Sequence, residues 1–139
     1  MILFIGTFLC ACSRHDTLTG SYKSRSYNII QRYYLSLVEK SVYSIGNELE
    51  LNKDSSFTYT CCGTIITGKW SVTPYTLSLF CKNNVYRNDS LNKTRPKPSC
   101  GTEPIKMHID KSGTLTEDIT SSDPRLKGLR ALVYLVKVE

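Results

Sequence analysis

A chain of 139 residues, 40% hydrophobic and 22% charged, is long enough to bury one core and too apolar to be intrinsically disordered. Its net charge of +6 suits anionic surfaces in general: nucleic acid, lipid headgroups or acidic glycans. With only two His, and no phosphate-cradling glycine motif or EF-hand spacing, it lacks the usual signatures of nucleotide and calcium sites.

Residues 1–12 form an uncharged apolar run ending in Leu9-Cys10-Ala11-Cys12. That tetrapeptide resembles the lipobox of bacterial lipoproteins, in which the last Cys is acylated and becomes the mature N-terminus. The run is shorter than the roughly 20 residues that span a bilayer, and reads as the apolar core of a signal peptide. Residues 1–11 are therefore expected to be a leader, Cys12 the lipidated residue and residues 12–19 a polar tether, followed by one domain over 20–139. The competing reading is an ordinary apolar strand at the start of a cytosolic domain. No Lys or Arg precedes the run, a departure that a start further upstream would remove. The expected address is the envelope of a Gram-negative bacterium, on the outer membrane with the domain on its periplasmic or surface face, and this argues against a nucleic-acid partner.

Nine Tyr, with many Thr, Val, Ile and Ser, favour strands. The first strand is expected from Gly20. Ile29, Ile30, Tyr33, Tyr34, Leu37 and Val38 recur at helical spacing with no Gly or Pro between them. This predicts one helix over about 28–40, its stripe packed on the sheet. Short strands then alternate with turns: Leu49 and Leu51 opposite Glu48 and Glu50, the turn Asn52–Ser56, Phe57–Cys61, Gly68–Val72, a turn at Thr73–Tyr75, and Thr76–Cys81. Residues 82–104, with three Pro and no apolar periodicity, read as a long loop that Cys100 pins. Ile105, Met107 and Ile109 alternate again, Asp110–Gly113 turns the chain, Thr114–Ile119 follows, and Ala131–Val136 is apolar on both faces. About eight strands joined by tight turns predict an all-β antiparallel meander closed as a small barrel. A two-sheet sandwich is the alternative. Phe57, Tyr59, Trp70, Val72, Leu77, Leu79, Met107 and Tyr134 are expected to line the interior. Glu117 shares the inward phase of Leu115 and Ile119 unless a bulge changes the register.

An ordered set of segments carries a family resemblance: Gly20-Ser21-Tyr22, residues 49–57, Cys62 to Trp70, Leu77-Ser78-Leu79 and Arg87 to Lys93. With the lipobox, it resembles the small lipocalin-like lipoproteins of Bacteroidota. The resemblance implies a small β-barrel on a lipid anchor and carries no activity with it. A typical member has one Cys before the Gly; this chain has Cys61 as well as Cys62.

Four cysteines remain once Cys12 is assigned to lipid: Cys61, Cys62, Cys81 and Cys100. Outside the cytoplasm they are expected to form disulfides, and four allow three pairings. A bond between the adjacent Cys61 and Cys62 would be strained, which leaves two cross-pairings. Free buried thiols and a metal site are the alternatives, the latter without a CxxC or HxxxH spacing to support it. His15 falls in the tether and His108 on the polar phase of a strand, so neither is placed to serve a nucleophile. Glu48 and Glu50 read as a solvated face. Asp16-Thr17-Leu18 and Asp89-Ser90-Leu91 match the Asp-Ser/Thr-apolar O-glycosylation motif in predicted loops. The basic run Lys82, Arg87, Lys93, Arg95 and Lys97 suits anionic headgroups or glycans. The expected protein is a non-enzymatic, lipid-anchored envelope barrel without cofactor or metal. It binds a small lipophilic ligand or serves as a scaffold, since filled and hollow barrels share one inner-face pattern. The alternatives are a protein-interaction module (sensor, inhibitor or complex subunit) acting through loop 82–104, and thiol-based metal or redox sensing.

Overall fold

The computed structural model describes residues 15–38, 41–44, 46–119 and 130–139; the leader and Cys12 lie outside them. In chain order the elements are β1 (Gly20–Ser24), α1 (Ile29–Leu37), β2 (Ser41–Ser44), β3 (Glu48–Leu51), β4 (Ser56–Cys61), β5 (Thr64–Val72), β6 (Thr76–Tyr86), α2 (Asp89–Thr94), β7 (Ile105–Ile109), β8 (Leu115–Asp118) and β9 (Arg130–Lys137). Strands β1, β3, β4, β5, β6, β7, β8 and β9 are hydrogen-bonded in that order, and β1 also pairs with β9. Every one of these pairings is antiparallel. The protein is therefore an eight-stranded antiparallel barrel, and the sandwich alternative falls. The short β2 stands outside this order, lying parallel to the first half of β9.

Alternation decides what points inward. Tyr22, Leu49, Leu51, Phe57, Tyr59, Trp70, Leu77, Leu79, Met107, Ile109, Leu115, Val133 and Leu135 form one buried cluster. A side chain beside an internal void wide enough for water would show exposed surface. Leu77, Leu79, Met107, Leu115 and Leu135 show 0%, so the described interior around them is packed. Of the expected lining residues, Tyr134 is a correction. Leu115 pairs with Leu135 and Thr116 with Tyr134, which places Tyr134 on the outer surface, with the Arg25 guanidinium 5.3 Å from its ring. Because Ala131–Val136 has no alternation, its phase could be fixed only by its partner strand.

The barrel has two unlike ends. At one, the tight turns β3–β4, β5–β6 and β7–β8 meet the two terminal strands. Here residues 15–18, expected to be tether, are helical and cover the barrel. Leu18 is buried and its carbonyl accepts a 2.8 Å hydrogen bond from the Tyr22 hydroxyl. The His15 ring stacks on Trp70 with centroids 4.0 Å apart and shares a 3.0 Å hydrogen bond with Ser55 Oγ. Lys137 Nζ donates to the Thr17 carbonyl at 2.8 Å. A short polar sequence gave no sign that Leu18 would be drawn under the barrel rim.

Between Thr67 and Gly68 the β5–β6 register slips: Thr67 faces Asn83 and Gly68 faces Cys81, leaving Lys82 unpaired. This bulge lets the two longest strands coil around the core. A Cβ on Gly68 would fall on the Phe80 carbonyl and meet the Phe57 ring. Gly68→Ala is expected to cost about 1–3 kcal/mol, as overpacking does elsewhere, measured as a lower denaturant midpoint without a change in slope.

Candidate functional site

The other end carries the longer connections, and the side chains with chemistry gather there. In β8 the register runs without a bulge, so Glu117 points inward opposite Val133. Its Oε2 accepts a 3.2 Å hydrogen bond from the Tyr59 hydroxyl of β4. Burial raises the Glu117 pKa above the ordinary carboxyl value, against a smaller lowering by that hydrogen bond. Burial, then the Glu117 charge, raises Tyr59. Two residues further along β4, burial pushes the Cys61 thiol up to about 12, with Cys62 and Glu117 adding to the effect. A thiol so held stays protonated and is not a nucleophile near neutral pH.

Cys62 and Gly63 form a two-residue hairpin loop, since Cys61 pairs directly with Thr64. Both have positive φ, 51° and 79°, the pattern of the type I′ turn that matches strand twist. Cys61 and Cys62 are free thiols, the first half-buried and the second exposed. The disulfide joins Cys81 to Cys100, whose Cα atoms are 5.5 Å apart. Neither expected cross-pairing forms: Cys61 lies in the inward phase of β4, Cys62 sits at a turn tip, and Cys81 and Cys100 lie within bonding reach of each other. Asn84 follows on β6, level with Ile66 and Tyr59. Its Nδ2 donates to the Ser99 carbonyl at 3.1 Å, while its buried Oδ1 has no partner.

The expected long loop 82–104 holds more structure than its composition suggests. β6 continues through residues 82–86, and α2 follows, capped by Asn88. Asn92 clasps the Tyr86 backbone, accepting from its N–H and donating to its carbonyl at 2.8 Å each. Both Asp-Ser/Thr-apolar triplets sit in helical turns rather than loops. His108 is exposed on the outer face of β7 and His15 lies at the opposite end of the barrel, so no imidazole joins Glu117 and Cys61. Glu48 and Glu50 are exposed, as expected, with Glu48 3.4 Å from Lys23. Among the described residues, no group of three or more His, Cys, Asp or Glu is placed to hold a metal.

α1 is the feature that sequence reasoning placed wrongly. The helix forms, fixed by a reciprocal cap in which Asn28 Oδ1 accepts from Gln31 N at 2.8 Å and Gln31 Oε1 from Asn28 N at 3.0 Å. Among the described residues its main contacts are with β2, and it buries none of its own residues. Ile29, Ile30, Tyr33, Tyr34, Leu37 and Val38 are 57–84% exposed. Tyr27, Ile30, Gln31, Tyr34 and Leu35 line a shallow groove of about 350 Å³. The periodicity identified the stripe, but nothing in it says that the stripe faces the sheet. No protein-family model, curated protein or solved structure matches the chain, so the site is read from its own geometry.

Two measurements follow from this end. With its pKa raised on folding, Glu117 keeps its proton in the folded state over a pH range in which the unfolded chain has released it. Its contribution to stability is complete below the ordinary value of 4.5 and is lost as pH rises through the folded value. Glu117→Gln keeps an acceptor for Tyr59 and carries no charge. Denaturation between about pH 4 and pH 8 is expected to show the native chain losing stability relative to this variant as pH rises. The lowered Asp54 and Asp110 act in the opposite sense, below their ordinary value of 3.8. Cys100→Ser opens a loop of sequence separation 19 and is expected to cost about 3 kcal/mol by chain entropy, read by the same unfolding measurement.

Proposed function

We propose that the protein is a non-enzymatic, lipid-anchored scaffold of the Gram-negative cell envelope that works as a protein-interaction module through its helix-bearing end. The observation that carries this is the bare apolar stripe of α1. A helix of nine residues is marginal alone in water, and fully burying one large apolar side chain stabilises by about 1.5–3 kcal/mol. An exposed stripe of six such residues fits a partner that supplies the missing surface, as in helix-in-groove recognition. The exposed cations Arg25, Arg32, Arg87, Lys93, Arg95 and Lys97 at the same end specify that partner further: a protein with an apolar groove and an acidic rim. Like charge makes a second copy a poor occupant. The packed interior supports a scaffold rather than internal cargo. The lipobox and the Cys81–Cys100 disulfide support an oxidising envelope compartment.

A photo-reactive phenylalanine analogue in place of Tyr34, in cells producing the full chain, is expected to give one discrete protein adduct. The same analogue at Phe80, exposed on the barrel wall, is expected to give none. Adding Ile30→Glu and Leu37→Glu should abolish the adduct while changing stability by no more than about 0.5 kcal/mol, as for surface sites. An adduct of twice the chain's mass would identify a second copy instead, and silence at position 34 would remove the proposal.

A further inference from the structure

Cys81 and Cys100 are spent on a disulfide, while Cys61, half-buried, and Cys62, exposed, stay free. Adjacent residues of a strand point to opposite faces, so neighbouring cysteines would ordinarily hold their sulfurs apart. The turn prevents this. Cys62 has a φ of 51°, at a position where Asn, Asp or Gly is the usual choice. A Cys there has none of the local hydrogen bonding that eases Asn and Asp into that conformation, and backbone outliers of this kind gather at functional sites. The alternation is broken, and the Cys62 side chain lies in hydrogen-bonding contact with the Cys61 thiol. The turn is also clamped on both sides. Thr64 Oγ1 donates to the Cys61 carbonyl at 3.0 Å, and the Arg87 N–H donates to the Gly63 carbonyl at 2.9 Å. The two sulfurs are therefore held as a pair on a fixed frame.

We propose that Cys61 and Cys62 form a two-thiol binding site for a trivalent thiophilic centre, of the class of arsenous acid and its organic derivatives. A disulfide needs its sulfurs about 2.05 Å apart, which closes a small, strained ring between adjacent residues. A single bridging atom with sulfur bonds of about 2.3 Å, the usual metal–thiolate length, takes sulfurs roughly 3.4–3.8 Å apart, the spacing of thiols in hydrogen-bonding contact. A structural zinc site takes four protein ligands, and among the described residues no third His, Cys, Asp or Glu joins the pair to hold a metal. A trivalent centre that brings its own third substituent is complete with two sulfurs. The exposed Cys62 adds first. The second bond is intramolecular, so the high effective concentration of the neighbouring sulfur draws in Cys61 despite its firmly held proton. Each step forms an arsenic–sulfur bond, breaks an arsenic–hydroxyl bond and releases one water, the thiol proton leaving with the hydroxyl. Arsenic stays trivalent throughout and nothing is oxidised.

The probe is phenylarsine oxide, whose hydrated form carries two hydroxyls. The full chain with Cys10→Ser and Cys12→Ser keeps Cys61, Cys62, Cys81 and Cys100 as its cysteines and is purified without reductant. Native mass spectrometry is expected to show one phenylarsenic group per chain, and a maleimide should label Cys62 many-fold more slowly after treatment. The adduct should survive an excess of a monothiol and be removed by a small dithiol, as two arsenic–sulfur bonds require. Cys62→Ser, at an exposed turn tip, should lose it. Cys61→Val, which keeps an inward side chain of similar size, should give an adduct that the monothiol strips. Removal of the parent adduct by the monothiol overturns the site, as does full retention by either variant. A parent chain that takes up no phenylarsenic overturns it as well, including one in which Cys61 and Cys62 have bonded to each other.

Discussion

The architecture turns on a mismatch in length between the strands that close the barrel. β1 has five residues and β9 has eight, so β1 can cover only the second half of β9, pairing Tyr22 with Lys137, Lys23 with Val136 and Ser24 with Leu135. The first half of β9 would present unpaired N–H and C=O groups, an edge that invites association with another chain. β2 occupies that stretch, pairing Ser41 with Arg130 through Ser44 with Val133. To place β2 there, the chain must leave the barrel after β1 and return before β3. α1 lies within that excursion, and so stands beside the barrel rather than on it.

Chemistry divides along the axis for a related reason. At the tight-turn end, compact turns close on their own side chains. Asp110 Oδ1 accepts from the N–H groups of Ser112 and Thr114 at 2.8 and 2.9 Å, leaving little for a ligand to do. At the other end, apart from the two-residue Cys62–Gly63 turn, the connections are long, and the barrel mouth is finished with polar groups, among them Glu117, Tyr59, Cys61 and Asn84. Their arrangement favours neutral forms. The carboxyl and the thiol are both raised, chiefly by burial, and the phenol donates its hydrogen bond to the carboxyl.

Much of the barrel was legible in the sequence because period-2 alternation is a local property. Phe57, Tyr59, Trp70, Leu77, Leu79 and Met107 all face the core as their phase required, and Glu117 betrayed its inward direction by sharing phase with Leu115. Where alternation failed, so did the reading. Tyr134 sits in a stretch apolar on both faces, and its direction came only from pairing with Thr116. Asn83–Tyr86 extend a strand because β5 offers them partners, a fact the segment itself does not contain. The helix at Ile29–Leu37 was visible from its spacing, but whether a stripe is covered depends on where the flanking strands leave the sheet. The disulfide was hidden for the same reason: four cysteines fix the pairings that can form, and geometry alone selects Cys81–Cys100.

The lysine that steadies the first turn through the Thr17 carbonyl lies 120 residues away from it, in the last strand, and this shapes how the molecule must come to exist. A barrel shut by its first and last strands gains its closing contacts only after nearly the whole chain has been brought together, which is entropically the most demanding loop it can form. Such non-local pairing places folding among the slow all-β cases, in milliseconds to seconds. A chain emerging with its N-terminus first would hold β1 and β3 as an unfinished ribbon until Lys137 arrives. Losing β9 would not yield a smaller barrel. It would yield an open sheet with one face of its core in water, competent to add any strand it meets.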